Sequence, residues 1–113
     1  MNISATVKKL VNRYGTCDPF RICKELEIIV IFGDLGNETR GLIKKYKRSY
    51  IICINDQLSE PDQLQTCAHE LGHYALHKQV NTLFMKTCTY LKTDKYEIQA
   101  NEFAALLLQD ILE

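Results

Sequence analysis

The chain has 113 residues, 46% apolar and 25% charged, as befits one soluble globular domain with a single modest core. Fourteen basic residues balance fourteen acidic ones, so no global charge steers it toward nucleic acid or an anionic membrane. No apolar run is long enough to span a bilayer, and the opening MNISATVKKLVNRY lacks the core of a secretory signal.

Ile3, Val7, Leu10, Val11 and Tyr14 recur at helical spacing, with Gly15 where a C-terminal cap belongs. Asp18-Pro19 is an N-cap followed by a first-turn proline, opening a short helix with Phe20, Cys23 and Leu26 inward. Ile28 to Phe32 is an unbroken β-branched and aromatic run and predicts a buried strand; GDLGN after it is turn chemistry. Gly41 to Tyr46 and Tyr50 to Ile54 flank a KRS turn and predict an antiparallel hairpin. Its cluster Lys44, Lys45, Lys47 and Arg48 has no interleaved aromatic platform, so edge protection is favoured over a nucleic-acid patch. Ser59-Glu60-Pro61-Asp62 resembles a capping box with proline and starts a third helix. Residues 78–93 show no period and predict a long loop with extended pieces. A last helix begins at Asp94. The fold class expected is α+β, one domain over 1–113, with a small antiparallel sheet of about three strands and helices packed on it. Five cysteines (Cys17, Cys23, Cys53, Cys67 and Cys88) form no CxxC pair. They read as small buried hydrophobes in a reducing compartment, and cytoplasmic location is the expectation.

The third helix carries TCAHELGHYALH, Thr66 to His77. Histidines at i and i+4 share a helix face, so His69 and His73 can give two imidazole nitrogens to one zinc ion. Glu70 projects beside that face, where it reaches a zinc-bound water rather than the zinc and can take its proton as general base. Leu64, Cys67, Ala68, Leu71 and Ala75 form the apolar stripe on the other side, and Gly72, costly inside a helix, predicts a close neighbour. A chance HExxH occurs in on the order of one chain in a few hundred of this length, so a second witness is needed. Glu97-Ile98-Gln99-Ala100-Asn101 supplies it. A glutamate on a later helix resembles the gluzincin arrangement, whose ExxxD pattern gives the third ligand and a carboxylate supporting a ligating histidine. Here it reads ExxxN: Glu97 would bind zinc, and Asn101 would accept the second ring N–H of His69 or His73. Glu97 could instead cap its own helix with Asp94, and Glu102 is the other candidate ligand. His77 lies roughly 12 Å along the axis from His69, too far to share an ion, and reads as supporting.

Taken together, DPFRICKELEIIV, the hairpin ending YIICIND, HELGHYALH and DKYEIQANEFAALLL resemble the ImmA/IrrE family of metallopeptidases. The last segment is similar to that family's ExEAxxFAxxLL pattern, with Gln99 standing where its second glutamate usually falls. The resemblance implies a minimal gluzincin-like peptidase with one zinc per chain on His69, His73 and Glu97, and Glu70 as the base. It further implies an anti-repressor of phages and mobile elements that cleaves a partner helix-turn-helix repressor, with no direct contact to nucleic acid or membrane. A non-catalytic, metal-stabilised module that sequesters a repressor is the alternative. Members commonly continue past this chain's end, so truncation at the C-terminus, or a short form whose apolar FAALLLQDIL is covered by a partner, is expected.

Overall fold

The computed structural model describes residues 2–77 and 94–112. The loop expected over 78–93, with Cys88, lies outside the described residues. Among the described residues, four helices and three strands follow one another as α1 (Ile3–Tyr14), α2 (Pro19–Glu25), β1 (Ile29–Gly33), β2 (Gly41–Tyr46), β3 (Ser49–Asn55), α3 (Glu60–His77) and α4 (Asp94–Leu112). The α+β class and the strand count agree with expectation.

Local chemistry sets the helix ends. The Asn2 side chain accepts from Ala5 N–H at the start of α1, and Gly15 closes it in the left-handed region at φ 70°, its N–H donating to Val11 O. Asp18 accepts from Phe20 N–H with Pro19 in the first turn of α2. Ser59 Oγ accepts from Asp62 N–H at 3.3 Å ahead of α3.

The sheet is mixed rather than purely antiparallel, which corrects the expectation. Its order is β1-β3-β2: β2 and β3 form the antiparallel hairpin, but β1 lies parallel to β3, with Ile29 opposite Ile51. The physical reason is visible in α2. Phe20 stacks on Phe32 at 5.9 Å, so β1 follows its preceding helix to the far side of β3 instead of folding back on β2. The loop from β1 must therefore cross the end of β3. Buried Asn55 pins that crossing, its Nδ2 donating to Gly36 O and Thr39 O at 2.8 Å each and its Oδ1 accepting from Gln57 N–H. β1 is consequently an edge strand, and Ile29, Ile31 and Phe32 are about half exposed, not buried as the apolar run predicts.

One face of the sheet, through Ile43, Ile52 and Ile54, packs on α3, and α4 packs on the helices, so that Cys67, Ala68 and Leu71 of α3 and Phe103, Leu107 and Leu108 of α4 join it in a single core. Ile22 joins Cys23 there, fully buried; its place among the inward residues of α2 was not read from spacing. Two glycines allow close approach. At Gly72 an added Cβ would meet the Phe103 ring at 3.0 Å, so α4 lies tight on α3. At Gly41 it would fall 2.5 Å from Thr66 Cγ2 and 2.9 Å from Cys53 O. Gly41→Ala is expected to destabilise the chain by about 1–3 kcal/mol, because β2 must move off α3. Urea denaturation checks this: an unshifted midpoint would mean that β2 is not held against the helix. Thr66→Ser in the same chain should recover part of the loss.

Candidate metal centre

The helical repeat of α3 places His69, His73 and His77 one turn apart, their rings in sequence at centroid distances of 4.8 and 5.3 Å. The stripe faces α4, which approaches closely over Gly72 and carries Tyr96, Glu97, Gln99 and Asn101. His69, His73 and Glu97 each offer one ligand atom, and these atoms all lie within 4.8 Å of one another. His69 Nε2 is 3.1 Å from Glu97 Oε1, and His73 Nε2 is 2.9 Å from Glu97 Oε2. Glu102 is exposed and outside this group.

The donor set can be tested for its fit to a cation. Asn101 Oδ1 lies 2.8 Å from His69 Nδ1. An amide oxygen only accepts, so Nδ1 carries the ring proton and neutral His69 turns its Nε2 lone pair on the Glu97 carboxylate. The His73 Nε2 contact with Glu97 Oε2 is close but lacks hydrogen-bond alignment. Lone pairs that face each other this closely need a positive charge between them. Tetrahedral zinc with ligand bonds of about 2.0–2.1 Å would separate such atoms by about 3.3–3.4 Å. The two histidine–Glu97 contacts already stand within a few tenths of an ångström of that spacing, and the residues fit a small divalent cation once the widest pair, up to 4.8 Å apart, draws in. The His69 and Glu97 side chains are 16% and 32% exposed against 8% for His73, so the cluster opens to solvent on the His69–Glu97 side.

Electrostatics agree. Burial disfavours the charged form of His69. The bond to Glu97, the charges of Glu70 and Glu97, and Asn101 outweigh it, and its pKa stands above the ordinary histidine value. Without metal, a proton is thus drawn to the place a cation would take. His77 is pushed the other way, mainly by burial.

Glu70 is 3% exposed, and its Oε1 is buried without a hydrogen bond among the described residues. It sits between α3 and the start of β2, with its Cγ near Gly41. A buried carboxylate oxygen with no partner is costly and rare, which marks the position as one held for something other than stability. Tyr50 and Tyr74 pack edge to face at 4.9 Å, while Tyr46 is 62% exposed. His77 is buried, 3.1 Å from His73 and 2.7 Å from Gln99, with the Tyr96 ring against it at 4.6 Å. Sequence reasoning missed Gln99 and Tyr96 as members of this cluster. Only the His77 turn of the stripe pointed toward them.

Among the described residues, no helix is long and apolar enough to cross a membrane. Comparison with known proteins matches residues 23–110 to the IrrE N-terminal-like domain. "Uncharacterized immunity region protein 2" of Bacillus phage phi105 is 42% identical over 106 residues, covering 94% of this chain and 67% of the relative. The metallopeptidase ImmA of Bacillus subtilis strain 168 is 37% identical, covering 94% and 62%. The phage-like element PBSX protein XkdA of the same strain is 33% identical, covering 86% and 48%. The chain spans about half to two thirds of the length of these relatives.

Proposed function

The chain belongs to the IrrE N-terminal-like family of metallopeptidases, and from that premise we propose that it is a zinc endopeptidase that cuts a helix-turn-helix repressor and so relieves repression. The observation that carries the reading is the convergence of His69, His73 and Glu97 beside the buried, unbonded oxygen of Glu70. The name of the phage phi105 relative, an immunity region protein, supports a repressor as the substrate class.

His69 and His73 would hold the ion through Nε2, and Glu97 through its carboxylate. A bound zinc ion would supply Lewis-acid polarisation of water and of the scissile carbonyl. Glu70 Oε1 takes a proton from the attacking water and delivers it to the departing amine. Asn101 keeps the His69 proton on Nδ1 and so keeps Nε2 available as a ligand. β2 is the edge strand nearest Glu70, and an extended substrate segment would add to it as a further strand, its carbonyl brought over the carboxylate.

Two measurements bear on this. Zinc-loaded chain, incubated with the repressor encoded beside it, should give one discrete cut; an intact repressor after long incubation counts against the enzyme. Asn101→Ala should keep the fold and bind zinc roughly 10- to 100-fold more weakly, the usual size of losing a residue that orients a ligand. Wild-type affinity in that variant would reduce Asn101 to a surface residue.

A further inference from the structure

Beyond His69, His73, Glu97 and Glu70, the stripe holds one buried histidine that the proposed chemistry does not use. His77 Nε2 is 2.7 Å from Gln99 Oε1, and His77 Nδ1 is 3.1 Å from His73 Nδ1. Three groups on two helices thus form one chain of hydrogen bonds that ends at the ring of His73.

The direction of that chain decides what His73 can do. The Gln99 oxygen can only accept, so His77 carries its proton on Nε2. In neutral His77, Nδ1 then bears the lone pair and must be the acceptor from His73. His73 therefore donates from Nδ1, and its lone pair lies on Nε2, the atom 2.9 Å from Glu97. Were Gln99 to offer its NH₂ group instead, every bond would reverse. His77 would donate from Nδ1, His73 would accept there, and the proton left on His73 Nε2 would bar a cation. His69 is set by one carbonyl, that of Asn101. His73 is set by a carbonyl acting through a second imidazole.

We propose that Gln99 and His77 are positioning residues for the metal centre, a two-step relay that holds His73 in the tautomer with Nε2 open to a cation. The inference rests on His69, His73 and Glu97 being the metal ligands. The Tyr96 ring, 4.6 Å from His77, walls one side of the relay and limits rotation of the imidazole. The order follows from atoms rather than from charge, because glutamine has a carbonyl to give and no net charge.

Variants at Gln99 separate the relay from simple packing, since the side chain is only partly buried and the replacements have similar length. Gln99→Glu offers acceptors only and should keep zinc affinity within a few-fold of wild type, or raise it. Gln99→Met fills the same space with no comparable acceptor and should weaken zinc binding roughly 10- to 100-fold. Chelator competition reads the affinities, and thermal unfolding of the metal-free chains confirms equal folding. Long-range ¹⁵N–¹H correlation spectra of the metal-free chains should show His73 protonated on Nδ1 in wild type and Gln99→Glu, and mixed in Gln99→Met. Wild-type affinity in Gln99→Met, or equal weakening by Glu and Met, overturns the relay. If wild type itself binds no zinc, the metal-centre reading fails instead. The relay is then decided by the spectra alone, an Nε2 proton on His73 of the wild-type chain sinking it.

Discussion

Glu70→Gln should keep its metal and its fold and cut the repressor roughly 10²- to 10⁴-fold more slowly, the usual worth of general-base assistance. Glutamine nearly matches glutamate in shape, so the 3%-exposed slot beneath β2 still accepts it. What it lacks is basicity: an amide oxygen at the place of Oε1 cannot take a proton at neutral pH. Metal analysis should give one ion per chain in both proteins, which separates a lost base from a lost site. A repressor-controlled reporter, run beside a gel for repressor fragments, completes the test. If the reporter switches on equally with both proteins while the repressor stays whole, the chain works by sequestration. The helix would then be a metal-stabilised docking element, and the enzyme reading would be wrong.

Glu97→Ala should lose most of its metal at neutral pH, a larger loss than the roughly 10- to 100-fold expected for Asn101→Ala. Two imidazoles and water hold zinc far less well than three protein ligands. The same substitution also removes the only one of the three proposed ligands that comes from α4. On the proposed ligand set, metal would bind the assembled α3–α4 pair and not the unfolded chain, so saturating zinc should raise the wild-type melting temperature and leave that of Glu97→Ala nearly unmoved. Full occupancy in the variant would move the third ligand elsewhere. Exposed Glu102 is poorly placed to take over.

What the sequence made legible was local. Gly15, Asp18-Pro19 and the Ser59 start of α3 act through neighbours a few residues away, so their roles could be read before any packing was known. The pairing of Glu97 with Asn101 was legible for the same reason, both lying on one turn of one helix. The position of β1 was not. An all-apolar pentapeptide looks the same whether its strand is central or at an edge, and a parallel partner is selected by contacts such as Phe20 with Phe32. Asn55 was overlooked because its work is to hold a loop crossing that only the mixed sheet creates. Gln99 looked like a departure from pattern. Its meaning depends on His77, one helix away, and no spacing rule joins the two.

The division of the centre between α3 and α4 also sets an order in time. The β2–β3 hairpin and the contacts of α1 to α3 join segments that leave the ribosome early, and the hairpin closes over a short turn. Glu97, Gln99 and Asn101 arrive only with α4, so His69 and His73 emerge from the ribosome without Glu97 and without the two residues proposed to set their protons. A nascent chain therefore has the motif but not the centre. If the proposed centre is the working one, the chain passes through synthesis inert, and docking of α4 would be the event that arms it.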